Sequence, residues 1–241
     1  MTLIPQNKNN SWNNLITPEF TTELDRIENL LDQLPVHPQS GYRYFPDKNQ
    51  IMRFLELDLN NINYVILGMD PYPSWYTLDN VNYPVATGRS FEVGNLDNWG
   101  QRFKQSSLCN ILKAVYFNQY GEKLSMVDLR IRLDDDPELI SPPHEMFNHW
   151  EIQGVMLLNA TLTVLPGEPD SHTTLWYAIM TRVIRFINEH HDIGWLLFGK
   201  KAQNRIDEAI DGEYRSYSCC HPRLARFVDE NVFAQVKDIR W

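Results

Sequence analysis

Ile62-Asn-Tyr-Val-Ile-Leu67 runs directly into Gly68-Met-Asp-Pro-Tyr-Pro73. An apolar, β-branched run closed by Gly and Asp-Pro reads as a buried strand that ends in a turn. Three further segments repeat the design. Val155–Leu158 ends on Asn159, Trp195–Phe198 on Gly199-Lys200-Lys201, and Tyr217–Cys220 on His221-Pro222-Arg223. Segments of helical spacing separate the four strands, which implies parallel pairing through right-handed crossovers. The expected fold is α/β: a single three-layer domain whose central, mainly parallel four-stranded sheet is flanked by helices. In open sheets of this kind ligands bind beyond the carboxyl ends of the strands. An acid (Asp70), an amide (Asn159), two lysines and a histidine (His221) should therefore share one rim, and an enzyme is the leading reading.

Outside the strands, residues 1–17 read as a polar N-terminal tail preceding the single domain, 18–241. Pro18–Leu34 has helical spacing, with Phe20, Leu24, Ile27, Leu30 and Leu31 on one face. Pro46-Asp47 is expected to open a second helix carrying Ile51, Phe54 and Leu55. Residues 73–90 read as an irregular loop and 122–143 as an acidic surface excursion. Further helices are expected at 102–120, ending at Gly121, at 144–152, at 174–190 capped by Ser171 or Thr173, at 200–210, and in a last segment that closes at Trp241.

Composition narrows the function classes. Aliphatic and aromatic residues make up 43% and charged residues 22% of the 241, as in ordinary globular proteins. No stretch of ~18 apolar residues suggests a membrane span, and the first thirty residues lack a signal-peptide pattern. Three cysteines without a C-x-x-C pair argue against a zinc knuckle, an iron–sulfur cluster or a disulfide framework. An intracellular, reducing home is expected: cytoplasmic for a bacterial or viral protein, nuclear for a eukaryotic one. The net charge of −9 opposes nucleic-acid binding, but it is unevenly spread. Residues 122–138 hold six acids against three bases, whereas 199–226 hold six bases against four acids. A basic rim on an acidic body is the expectation.

Six motifs, in order, bring the chain close to a known family. They are Gly68-Met-Asp-Pro-Tyr72, Gly88-Arg-Ser-Phe91, Ser107-Leu-Cys-Asn-Ile111, Trp150 through Thr163, Ser171-His172, and Trp195 through Gln203 followed by His221-Pro222. Together they resemble the uracil-DNA glycosylases of family-1 type over roughly residues 60–235.

The resemblance implies that Asp70 orients water and faces a cationic sugar, as carboxylates do in glycoside hydrolysis generally. It implies that His221 donates to the departing pyrimidine. Asn159 would read the N3–H and O4 edge of uracil, since an amide offers both donor and acceptor in one plane. Tyr72 would crowd C5 against thymine, Phe91 would stack on the base, and Met69 would line the pocket. DNA would be met by Ser106, Ser107, Ser171, Lys200, Pro222, Arg223 and Leu224, with Leu224 as the wedge that fills the stack. The implied partners are uracil-containing DNA, single- or double-stranded, and a proteinaceous inhibitor or replication protein. No cofactor, metal or membrane is implied, and a monomer is expected. Taken singly, each residue has a plainer reading: an Asp-Pro turn, a strand-end Asn, a core aromatic, a solvated lysine.

Departures from the family pattern are local. Met69 stands where the family usually has Gln and Pro73 where His is common; the 73–90 loop is long, and the His221 loop is short. Pro73 and the His-Pro-x-x-Ala-Arg run resemble viral members. Two alternatives follow: a same-fold glycosylase for a modified pyrimidine, and a non-catalytic replication or repair scaffold of glycosylase ancestry. A small-molecule α/β enzyme would need a Gly-rich phosphate turn that Gly68 alone does not supply.

Overall fold

The computed structural model describes residues 3–241. Its centre is a four-stranded parallel sheet of order β4-β1-β5-β6, built from Tyr64–Gly68 (β1), Val155–Asn159 (β4), Gly194–Phe198 (β5) and Arg215–Cys219 (β6). β1 and β4 pair in register from Tyr64↔Val155 to Gly68↔Asn159. Every residue of β1, β4 and β5 is buried, which is why these strands read as continuous apolar runs rather than alternating ones. Successive side chains leave opposite faces. Val65, Leu67, Met156, Leu158, Trp195 and Leu197 enter one core; Ile66, Val155, Leu157, Leu196 and Phe198 enter the other.

The first core is covered by Pro18–Gln33 (α1), Thr173–His190 (α5) and Lys200–Ala209 (α6). Pro18 sits at the first helical position of α1, and Thr17 caps it by accepting from the Phe20 N–H. The second core is covered by Ser106–Tyr120 (α2), Met126–Asp135 (α3), Pro143–Ile152 (α4) and Phe227–Glu230 (α7). Three layers around one sheet result. Among the described residues no helix is long and apolar enough to cross a membrane.

Six local expectations are corrected. Leu30, expected on the inward face of α1, is 43% exposed. Residues 3–17 do not form a free tail: Leu3, Trp12 and Leu15 are buried in the first core, and the Trp12 indole donates to the Leu57 carbonyl at 2.8 Å. Met1 and Thr2 lie outside the described residues. The helix expected from Pro46 is a chain of 3-10 turns at Lys48–Gln50, Arg53–Glu56 and Leu59–Asn61 that buries Ile51, Phe54 and Leu55 without reaching α-helical length. The 73–90 loop contains an antiparallel hairpin, Trp75–Leu78 (β2) with Val81–Pro84 (β3). Its turn residues Asp79 and Asn80 have φ of 49° and 61°, the type I′ geometry that matches strand twist. The acidic excursion holds α3, capped by Ser125, whose Oγ accepts from the Asp128 N–H and donates to its carboxylate; Leu129 and Leu133 anchor it. The last segment is only the short α7 and a 3-10 turn at Val232–Gln235, so no helix reaches Trp241.

Candidate active site

A cavity of about 630 Å³ opens at the carboxyl ends of the strands. The β1 loop from Gly68 to Pro73, Asn159, Phe198 and His221 line it, so the four predicted loops do converge. The pairing of β1 with β4 extends beyond the strands: Ala160 donates to the Gly68 carbonyl at 2.9 Å and Thr161 to that of Met69 at 2.8 Å. Those bonds fix the two loops against each other.

Asn159 is 3% exposed, and among the described residues its side-chain amide has no hydrogen-bond partner. The amide opens into the cavity, which therefore presents a donor and an acceptor to a ligand. Gly68 makes room for it. A Cβ there would lie 2.3 Å from Asn159 Oδ1 and 2.7 Å from Ser90 Cβ.

Asp70 Oδ2 accepts the backbone N–H of Asp170 at 2.8 Å. Burial raises its pKa above the ordinary carboxylate value; the Asp170 N–H offsets part of that, the Asp170 charge adds to it, and Lys201 opposes it. His221 is shifted the other way. Burial, then Arg223 and Lys201, depress its pKa, so the ring is neutral at pH 7. Its Nδ1 accepts the Arg223 backbone N–H at 3.1 Å, which leaves the proton on Nε2. Gly199, at φ 92°, permits that placement: a Cβ on it would sit 2.9 Å from the His221 Cβ.

Phe91 and Tyr72 also line the cavity. Phe91 has φ 63°, an uncommon conformation for an aromatic residue that costs of order 1–3 kcal/mol and persists only when its surroundings impose it. Those surroundings are visible. Ser90 Oγ donates to the Ile66 carbonyl at 3.1 Å, tying the segment to the sheet. Arg89 is buried in a cluster with Glu92 (2.9 Å), Glu151 and Asn148, which clamps the other side. The Phe91 ring lies 5.7 Å from that of Phe198. The Tyr72 hydroxyl reaches the Phe91 carbonyl at 3.5 Å, and burial raises its pKa, so it stays protonated.

The remaining expected residues divide. Met69, Ser107, Arg223 and Leu224 line the cavity, with Leu224 47% exposed at its mouth. Ser106 is exposed at the first position of α2, beside Ser107, and the helix has no side-chain N-cap. Pro222 is buried outside the cavity, where its carbonyl takes the Asn110 amide at 2.6 Å and ties the His221 loop to α2. Ser171 lies outside the cavity, its Oγ accepting the Leu165 N–H at 2.8 Å, and the N-cap of α5 is His172. Lys200 is exposed and does not reach the cavity; Lys201 does. The basic rim is correspondingly smaller than its sequence suggests. Arg205 is 6% exposed and lies over the Tyr177 ring at 4.5 Å, and Arg215 opens β6 at the opposite end of the sheet. Asp170, Phe198 and Arg89 line the cavity without having been expected there. Of these, Arg89 and Phe198 lay inside recognised motifs and Asp170 did not. No three His, Cys, Asp or Glu side chains among the described residues are grouped so as to hold a metal ion.

No protein-family profile matches the chain. The uracil-DNA glycosylase of Buchnera aphidicola subsp. Baizongia pistaciae is 34% identical over 165 residues, 67% of this chain and 61% of that protein. The match thus spans less than two thirds of that relative. The uracil-DNA glycosylase of Helicobacter hepaticus is 29% identical over 231 residues, covering 93% of this chain and 87% of that one. Among solved structures, UNG from Nitratifractor salsuginis superposes with a TM-score of 0.69 at 17% identity, covering 97% of this chain and 93% of that one. Mimivirus UNG, solved as a Y322L variant in complex with UGI, gives 0.56 at 20% identity, covering 90% and 73%. These structural likenesses speak to the fold. The sequence relatives show that the chain belongs to the uracil-DNA glycosylase family.

Proposed function

We propose that the chain removes uracil from DNA by hydrolysing its N-glycosidic bond, leaving an abasic site. The observation that carries this is the unpartnered Asn159 amide, placed in one cavity with a carboxylate and a neutral histidine. A base inside a duplex cannot reach such a cavity, so it must swing out of the stack, at a cost of a few kcal/mol. Leu224, exposed at the mouth, fills the gap left behind. The base stacks on Phe91, and Asn159 receives N3–H and donates to O4. Cytosine offers the reversed pattern, and the close fit of the amide over Gly68 opposes the rotation that would accept it. Tyr72 stands where a 5-methyl group would go.

As the C1′–N1 bond breaks, its electron pair moves to the pyrimidine and positive charge grows on the sugar. His221 Nε2–H donates to the anionic oxygen, and one such donor typically contributes ~10²–10³ in rate. Ionised Asp70 stabilises the sugar cation and orients the water whose oxygen bonds to C1′. Its raised pKa suits it to receive the proton that this water releases. The free N–H groups of α2 at Ser106 and Ser107 are placed to take a DNA phosphate. Arg223 and Lys201 supply positive charge at the mouth; Lys200 and Ser171, outside the cavity, would meet only flanking phosphates. The same face would take a proteinaceous inhibitor, a reading supported by the mimivirus UNG complex with UGI. The substrate places the chain with cellular DNA, in the cytoplasm of a bacterial or virally infected cell or in a nucleus.

The test is release of free base from oligonucleotides carrying one uracil or one modified pyrimidine, single- and double-stranded, with EDTA present. Uracil release abolished by Asp70→Asn supports the reading. Release of another base in its place would favour the modified-pyrimidine alternative, and no release from folded protein would overturn both.

A further inference from the structure

We infer that Asp170 and Lys201 form a positioning pair for Asp70, determining which of its carboxylate oxygens is left free for water and sugar. The inference builds on the role proposed above for Asp70. Asp170 has three polar groups, and each is engaged by a different element. Its backbone N–H donates to Asp70 Oδ2 at 2.8 Å on the β1 loop. Its carbonyl accepts from Thr173 Oγ1 at 2.9 Å in α5. Its carboxylate meets Lys201 Nζ at 2.9 Å in α6. The residue holds φ 63°, a left-handed conformation that aspartate and asparagine adopt more readily than most side chains. A second tether holds the same two loops together, from the Gly167 N–H to the Pro73 carbonyl at 2.7 Å.

Rotation about the terminal bond of an aspartate is broad and two-fold. A fixed amide on Oδ2 selects one of the two orientations before substrate arrives, and such preorganisation is what near-attack geometry requires. Among the described residues no other residue donates a hydrogen bond to this carboxylate. Lys201 has a second consequence: Asp170 places a like charge beside Asp70, and the ammonium answers it. The pair is solvent-exposed, with side chains 68% and 53% accessible, so its expected contribution is modest.

The test follows the Asp170 amide by ¹H–¹⁵N NMR of labelled protein from pH 3 to 8, alongside single-turnover excision. Asp70, Asp170, His221, Lys201, Arg223, Arg89 and Tyr72 are the titratable or charged groups of this cavity, so Asp70→Asn is the control that isolates the Asp70 contribution. The Asp170 amide proton is expected to carry an inflection that vanishes in Asp70→Asn. Lys201→Met should move that inflection to higher pH and lower kcat by ~3–10-fold, with KM changed less than about twofold. Asp170→Asn keeps the backbone conformation and N–H but not the charge; combined with Lys201→Met it should slow the enzyme no further than either alone. An Asp170 amide titration curve unchanged in Asp70→Asn would overturn the pair. So would Lys201→Met raising KM in a salt-dependent way at unchanged kcat, the behaviour of a plain phosphate contact. An intact NMR signature in a protein that releases no uracil would leave the pair standing and count against the proposed reaction instead.

Discussion

The two sides of the cavity rim are held in different ways. Asp70 follows β1 and Asn159 ends β4, paired central strands whose residues are all buried, and the backbone ladder continues beyond them as far as Met69 and Thr161. His221 follows β6, an edge strand with alternating exposure, and its loop depends on side chains. Asn110 holds the Pro222 carbonyl at 2.6 Å and Glu230 takes the Cys220 N–H at 2.6 Å. The groups that read the base and orient the water therefore sit on rigid backbone. The leaving-group donor and the wedge sit on a loop that side-chain changes can move. Both sides nevertheless meet one electrostatic condition. Burial raises Asp70 and lowers His221, so the cavity disfavours charge of either sign until a substrate supplies its complement.

Removing the reacting groups should break this symmetry most strongly. Asp70→Asn and His221→Leu should each lower kcat by ~10²–10³, read by single-turnover excision, but their stabilities should diverge. A carboxylate whose folded pKa is raised contributes stability only while protonated, and loses it as pH rises through the folded value. At pH 7 Asp70 is thus a cost, and Asp70→Asn should melt higher than wild type, the gap closing as pH falls toward 3.8. Equal or lower melting at pH 7 would show that burial does not penalise Asp70.

The two close-approach glycines sharpen the comparison. Gly68→Ala should displace the Asn159 amide and cost ~10–100-fold in kcat/KM for uracil, because a misplaced recognition group is expensive. Gly199→Ala also imposes a positive φ on a side chain, so it should lose about 1–3 kcal/mol of stability in denaturant melts. Full activity in Gly68→Ala would detach Asn159 from base reading.

Ionised Asp70 and neutral His221 together predict a kcat/KM that falls on the acid side only, about tenfold per pH unit for each group that titrates. A falling alkaline limb below pH 9 would mean that His221 acts as imidazolium. The smallest effect belongs to the exposed wedge. Leu224→Ala should slow excision a few-fold on duplex and hardly at all on single strands, since only a duplex has a stack to refill. Equal losses on both would assign Leu224 to general DNA contact.

Residues 73–90 and 122–143 show where sequence reading stops. The hairpin at 75–84 turns on Asp79-Asn80 rather than a glycine pair, and Pro84 and Asn82 hide its alternation. The helix Met126–Asp135 has only Leu129 and Leu133 as buried anchors. Its Ser125-x-x-Asp128 cap was visible and would have identified it. The 3-10 turns after Asp47 bury the same apolar residues a helix would, so periodicity alone could not separate the two.

What the sequence determined by itself was the order of the four central strands, the end of the sheet where their loops meet, and the placing of Asp70, Asn159 and His221 there. Strand burial and strand-end polar residues are local signals that survive in the linear pattern. Only the tertiary structure decided that Lys201 rather than Lys200 lines the cavity, that Arg205 and Arg215 leave the basic rim, and that Asp170 meets Asp70. The reason is physical: a helix turns ~100° per residue, so adjacent lysines face different ways. A contact between residues 70 and 170 exists only once the loops after β1 and β4 have been folded together.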